Sequence, residues 1–177
     1  MKKTILVITG VICLPIVLLG VGLTFEWLVN LVTPHPPRPE ITYGEFPFRV
    51  EYEINGELVV VEDTIICKFD GFSSLSCDID TKYREWKASF ASGRKTLFPN
   101  GADLKVDDDR QIYFSLGSAH YYMGDGWGGS PHCRAYKARK SSSGYSLTDI
   151  PPDELFNTYN IRVISYEFSP PIVNSFK

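Results

Sequence analysis

Phe48-Arg49-Val50-Glu51-Tyr52-Glu53-Ile54-Asn55-Gly56-Glu57 decides the fold class. From Phe48 to Ile54 apolar and charged residues alternate, the period of a strand with one dry face and one wet face. Asn55-Gly56 then supplies both positive-φ positions of a type I′ turn. Glu57 to Phe69 returns as a Val/Ile-rich strand through Val59, Val60, Val61, Ile65 and Ile66. The segment reads as an antiparallel hairpin.

Working outward, further strands are predicted at Arg94–Phe98, Gln111–Leu116, Ala119–Met123, Arg134–Arg139 and Ile161–Phe168. Turn residues separate them at Pro99-Asn100-Gly101, Asp107-Asp108-Asp109, Gly117-Ser118 and Ser141-Ser142-Ser143-Gly144. Tyr83 to Phe90 fits two templates: Trp86, Ala88 and Phe90 alternate as in a strand, whereas Tyr83, Trp86 and Phe90 share a helix face. A short helix is expected over Pro151–Tyr159, with prolines in its first turn and Asp153 and Glu154 at the positive end of its dipole. The expected fold is mainly β, an antiparallel sheet with one or two short helices, preceded by one amino-terminal transmembrane helix.

That helix is read from an uncharged apolar run, Ile5 to Phe25, behind Met1-Lys2-Lys3-Thr4. At about 1.5 Å per residue it reaches roughly 31 Å, the hydrocarbon thickness of a bilayer. The expected organisation is a cytoplasmic terminus over 1–4, a signal anchor over 5–27, a Pro-rich juxtamembrane linker over 28–40 and an exported β-rich domain over 41–177. Lys2 and Lys3 lie before the span and Arg38 is the first basic residue after it, so the amino terminus stays in the cytoplasm. Cleavage as a signal peptide is the rival reading, supported by the small residues Gly20-Val21-Gly22 but without an Ala-x-Ala site. Thr33-Pro34-His35-Pro36-Pro37-Arg38-Pro39 favours an extended spacer. The expected location is the cell membrane, single-pass, with the carboxy-terminal domain outside the cytoplasm.

Composition narrows the function class. Over 177 residues the net charge is −3, with 22% charged and 44% hydrophobic residues. A packed domain follows, and a sequence-independent nucleic-acid binder, which needs a basic surface, does not. Acidic residues crowd Glu40–Asp63, whereas Arg134, Lys137, Arg139 and Lys140 form a basic cluster. Such a bipolar surface suits a charged partner, for example an anionic wall polymer.

His120-Tyr121-Tyr122-Met123-Gly124-Asp125-Gly126-Trp127-Gly128-Gly129-Ser130-Pro131-His132-Cys133 is the most unusual stretch. Gly124-x-Gly126-x-x-Gly129 matches a dinucleotide fingerprint in letters alone, because Ser130-Pro131 follows where a helix is required. His120, Asp125, His132 and Cys133 carry metal-ligand chemistry, but at no recognised spacing. Trp127 on a glycine loop, with Tyr121, Tyr122 and Tyr136 on adjacent strands, could form an aromatic platform for a sugar ring or a protein partner, and Asp125 is a further ligand-binding candidate. Cys67 and Cys77 could close a disulfide over Lys68–Ser76, contributing about 2–3 kcal/mol. Pairing with Cys133 and free thiols remain open. Ser92-Gly93-Arg94-Lys95 lacks the companion motifs of a Ser/Lys hydrolase, and Asp107-Asp108-Asp109 lacks the pattern of a calcium loop.

Ile41-Thr42-Tyr43-Gly44-Glu45-Phe46-Pro47-Phe48-Arg49, the Glu51–Glu57 hairpin, Gly117–Asp125 and Ser169-Pro170-Pro171 carry a resemblance. In these patches the chain resembles a family of small, uncharacterised, single-pass membrane-anchored exported proteins of Gram-positive bacteria. The resemblance implies a membrane-anchored topology and no activity. The expected function is an extracytoplasmic binding or interaction module, with no cofactor, for an envelope protein or a cell-wall glycan. The alternative is a small envelope hydrolase or metal-dependent enzyme using His120, Asp125 and His132.

Overall fold

The structure is a computed structural model that describes residues 34–74, 82–98, 100–126, 128–142 and 144–177. The expected span 5–27 lies outside these residues. Among the described residues no helix is long and apolar enough to cross a membrane. The chain divides into two compact units, Met1–Pro36 with Phe72–Tyr83, and Pro37–Gly71 with Arg84–Lys177. In the first, the exposed His35 ring tilts over Phe72 at 4.8 Å.

The second unit holds two four-stranded antiparallel sheets, all but the strand ends at 72–74 and 82–83. Strands β1 (Tyr43–Ile54), β2 (Glu57–Ser74) and β3 (Lys82–Phe90) open the fold. Strands β4 (Gly101–Asp107) and β5 (Ile112–Ser118) lead into a single helical turn, α1 (Ala119–Tyr122). Then come β6 (Arg134–Ser141), β7 (Gly144–Ile150), helix α2 (Pro152–Tyr159) and β8 (Ile161–Phe168). One sheet has the order β3-β2-β1-β8 and the other β4-β5-β6-β7, so the last strand returns beside the first.

The hairpin forms as its sequence dictates. Asn55 and Gly56 take φ of 53° and 85°, and Tyr52 pairs with Val59 across the ladder. Phe46, Phe48, Val50 and Tyr52 point into the core while Glu45 and Glu53 on the other face stay wet. Pro47 is tolerated because it lies one residue beyond the β1–β8 pairing, which begins at Phe48. The Asn55 N–H donates to the carbonyl of Asn160, the left-handed residue that ends α2, at 3.0 Å. The hairpin turn therefore fixes where α2 stops and β8 starts.

Both sheets contribute to one core containing Val50, Ile65, Trp86, Phe114, Leu116 and Ile161. Across it the Tyr52 and Phe114 rings meet edge-on at 5.4 Å. Tyr83–Phe90 resolves as strand, with Trp86, Ala88 and Phe90 all buried.

Several local expectations are corrected. Ala119–Met123 is a helical turn rather than a strand: Gly117 takes φ +94° and the Ser118 hydroxyl accepts the Tyr121 N–H at 3.2 Å. Arg94–Phe98 forms no strand, because Gly93 at φ +78° ends the run from β3 and the Leu97 N–H is committed to the Asp103 carboxylate at 3.2 Å. Two strands form where the sequence carries no strand signal, Gly101–Asp107 and Gly144–Ile150; each is short and weakly alternating, and pairing supplies what its sequence does not.

The expected linker ends inside the packed body. Arg38 N–H donates to the Lys177 carbonyl at 2.9 Å, Glu40 N–H to the Ser175 carbonyl at 2.9 Å, and Pro39 pairs with Phe176. Entry and exit of the unit thus lie side by side.

Candidate functional site

The glycine-rich stretch is built around a buried ion pair. Asp125 is 3% exposed. Its carboxylate accepts from Arg84 Nε at 2.8 Å, from Arg84 Nη2, and from Trp86 Nε1 at 2.7 Å. The remaining Arg84 nitrogen, Nη1, donates to the Pro37 carbonyl at 3.3 Å, and the guanidinium lies 4.2 Å from the centre of the Phe176 ring. With three internal donors on its carboxylate and almost no exposure, Asp125 is committed to partners within the fold rather than presented to a ligand. Its role is to tie the glycine-rich loop to β3 and to the chain ends.

Tyr122 is fully buried, and its hydroxyl donates to the Leu116 carbonyl at 2.7 Å. It stacks on Phe46 at 4.8 Å and meets Tyr121 edge-on at 5.4 Å. Only Tyr121 of this pair is partly exposed, so the two do not make an open platform. Trp127 lies outside the described residues. The signal that could have separated Tyr121 from Tyr122 is the Ser118 cap, since a helical turn sends adjacent side chains in different directions.

The metal-ligand candidates are likewise engaged locally. His120 Nε2 sits 3.1 Å from the Arg84 carbonyl, and His132 Nδ1 is 2.7 Å from the Ser130 carbonyl. Among the described residues no group of three or more His, Cys, Asp or Glu is placed to hold a metal ion. Cys67 and Cys133 are free thiols. Cys67 is fully buried in the core, and its expected partner Cys77 lies outside the described residues. Burial pushes both the Cys67 and the Cys133 thiol up to about 12, far from the reactive thiolate range.

A concave site exists elsewhere. A groove of about 850 Å³ opens where the two sheets part, between β6 and β7 on one side and α2 with β8 on the other. Its apolar lining includes Ala135, Ile150, Leu155 and Ile161, and Cys133 lies at one end. Phe156, Ile164 and Tyr166 line it while remaining 39%, 48% and 52% exposed. Arg134 and Arg162 stand at its rim. The Arg162 guanidinium lies 4.4 Å from the centre of the Phe156 ring, and among the described residues neither arginine is in an ion pair with a carboxylate. β8 is the last strand of its sheet, so one edge of its backbone faces away from β1.

Of the groove residues, Cys133 is a sequence candidate and Arg134 belongs to the basic cluster read from the sequence. The others carried a faint signal: Arg162, Ile164 and Tyr166 alternate with Val163 and Ser165, a pattern that leaves apolar side chains on both faces of β8. Their exposure depends on β8 being an edge, which the strand order decides.

No protein-family model matches this chain, no curated protein matches it, and no solved structure matches its fold.

Proposed function

We propose that the β-sandwich is a membrane-tethered, extracytoplasmic binding module that takes an extended segment of an envelope protein into the groove beside β8. The observation that carries this reading is the groove itself, apolar along its floor, lined at its edges by Arg134 and Arg162 together with Asp149 and Asp153, and bordered by an edge strand. An extended polypeptide can use such an edge through main-chain hydrogen bonds while alternate side chains enter the groove. Ile164, Tyr166 and Phe156, each about half exposed, supply apolar area worth about 1 kcal/mol apiece when covered. Arg134 and Arg162, set beside Asp149 and Asp153, favour a segment with charges of both signs and an acidic residue opposite Arg162. The anchor over 5–27 keeps the module at the membrane surface on this reading, with residues 1–4 in the cytoplasm.

The test is photo-crosslinking from position 164 in the full-length protein in cells, with Leu58, exposed on the hairpin, as the control position. The reading expects one dominant crosslinked polypeptide from position 164, absent from position 58 and reduced about tenfold by Arg162→Glu. The same products from both positions would overturn it.

A further inference from the structure

We propose that the outer face of the β4-β5-β6-β7 sheet is a second binding surface, for an anionic polysaccharide. The strand register lays one row of side chains across all four strands: Lys105 opposite Tyr113, Tyr113 opposite Tyr136, and Tyr136 opposite Asp149. Directly opposed residues on one face of an antiparallel pair have Cβ atoms about 5 Å apart, so the two phenol rings are neighbours. Both are half-buried, held by the sheet yet still open to solvent. Tyr145, 44% exposed and opposite Lys140, belongs to the same face.

The charges on this face are unevenly available. Arg134 and Lys140 are exposed, and among the described residues neither is in an ion pair; Lys105 pairs only with the exposed Asp108. Of the acids, Asp103 is 6% exposed and holds the Leu97 N–H, leaving Asp149 as the accessible carboxylate in the row. Cations outnumber accessible acids, so an anionic ligand is favoured.

A sugar polymer fits the remaining chemistry. Flat phenol rings accept the C–H face of a pyranose, and their hydroxyls with Asp149 and the lysines reach its hydroxyl groups. The large side chains of this face are tyrosines and charged residues, with Leu147 half-buried among them, unlike the aliphatic floor a protein segment seeks. Four strands at about 4.8 Å spacing span roughly 14 Å, the breadth of several sugar units. The surface is separate from the groove reading except at Arg134 and Asp149, which border both; the variants below avoid them.

The test measures binding of the full chain in detergent micelles to dextran sulfate, with neutral dextran and inorganic polyphosphate as controls. The expected result is dextran sulfate bound at least tenfold more tightly than dextran. Tyr136→Ala should weaken dextran sulfate about tenfold and polyphosphate less than twofold, while Lys140→Glu should weaken both. Tyr136→Phe should retain binding. If Tyr136→Ala loses its fold, Tyr113→Leu, which keeps strand propensity but removes the flat ring, takes its place. No dextran sulfate binding, or tyrosine variants that bind it as tightly as the parent, would overturn the proposal.

Discussion

Arg84 and Asp125 form a two-pronged, almost buried ion pair in which Trp86 supplies a third donor to the same carboxylate. Arg84 comes from β3 and Asp125 from the glycine-rich loop after α1. Phe176 lies over the guanidinium, so four separate parts of the chain converge on one charge pair, counting Pro37. A buried pair is worth little against a well-packed apolar replacement, but removing one member strands the other charge in a dry site.

Asp125→Ala should therefore destabilise the protein by about 3–5 kcal/mol. Asp125→Asn, which can still accept from Trp86, should cost less. Denaturant unfolding of both variants checks the order. Equal stability of Asp125→Ala and the parent would show that the pair does not hold the loop.

Gly124→Ala should release the carboxy-terminal segment. Gly124 has φ +68°, and an added Cβ would stand 2.5 Å from the Ile172 carbonyl oxygen, in a segment where Ile172 N–H donates to the Tyr122 carbonyl. Gly56→Ala is the contrast: φ is +85° but nothing lies within 4 Å, so only about 1–2 kcal/mol of backbone strain is expected. Hydrogen exchange should speed up at Arg38, Glu40, Ile172 and Lys177 in Gly124→Ala and stay unchanged there in Gly56→Ala.

Alkaline pH should weaken the fold before phenol ionisation does. An unfolded thiol ionises near pH 8.5, whereas burial holds the Cys67 and Cys133 thiols up to about 12. Between these values the unfolded chain has lost protons that the native state keeps, so stability is full below about pH 8 and falls as pH rises toward 12. Each thiol contributes at most about 1.4 kcal/mol per pH unit. Urea midpoints at pH 8, 9 and 10 should decline, and Cys67→Val should flatten the decline.

The Cys67 thiol should resist alkylation. Iodoacetamide at pH 8 should leave Cys67 unmodified in the native protein and modify it readily in guanidinium, with peptide mass spectrometry as the readout. Rapid native labelling of Cys67 would contradict its full burial.

Tyr166→Ala should reduce capture of the groove ligand about tenfold with little loss of stability, because its side chain is half exposed in the free protein. Crosslinking yield from position 164, compared at matched expression, measures it. Unchanged yield would move the ligand away from the groove.

The local sequence determined the elements whose signal is short-range. Alternation plus Asn55-Gly56 specified the hairpin, because a period of two and a pair of positive-φ residues admit few other conformations. Pro151-Pro152 and Asp153-Glu154 specified the start of α2 for the same kind of reason. Tertiary structure decided the rest. Tyr121 and Tyr122 are adjacent and alike in chemistry, yet only one is in the core, since a helical turn replaces the expected strand. Asp125 reads as a free loop carboxylate until Arg84, forty-one residues earlier, is brought against it. The basic residues of β6 form one run in sequence, but the pleat sends Arg134 and Lys140 to the outer face with Tyr136, and Lys137 toward Tyr159. The groove exists because β8 crosses back beside β1 and leaves its other edge open. Composition and period act over a few residues, whereas burial, charge pairing and edge exposure depend on which distant strands become neighbours.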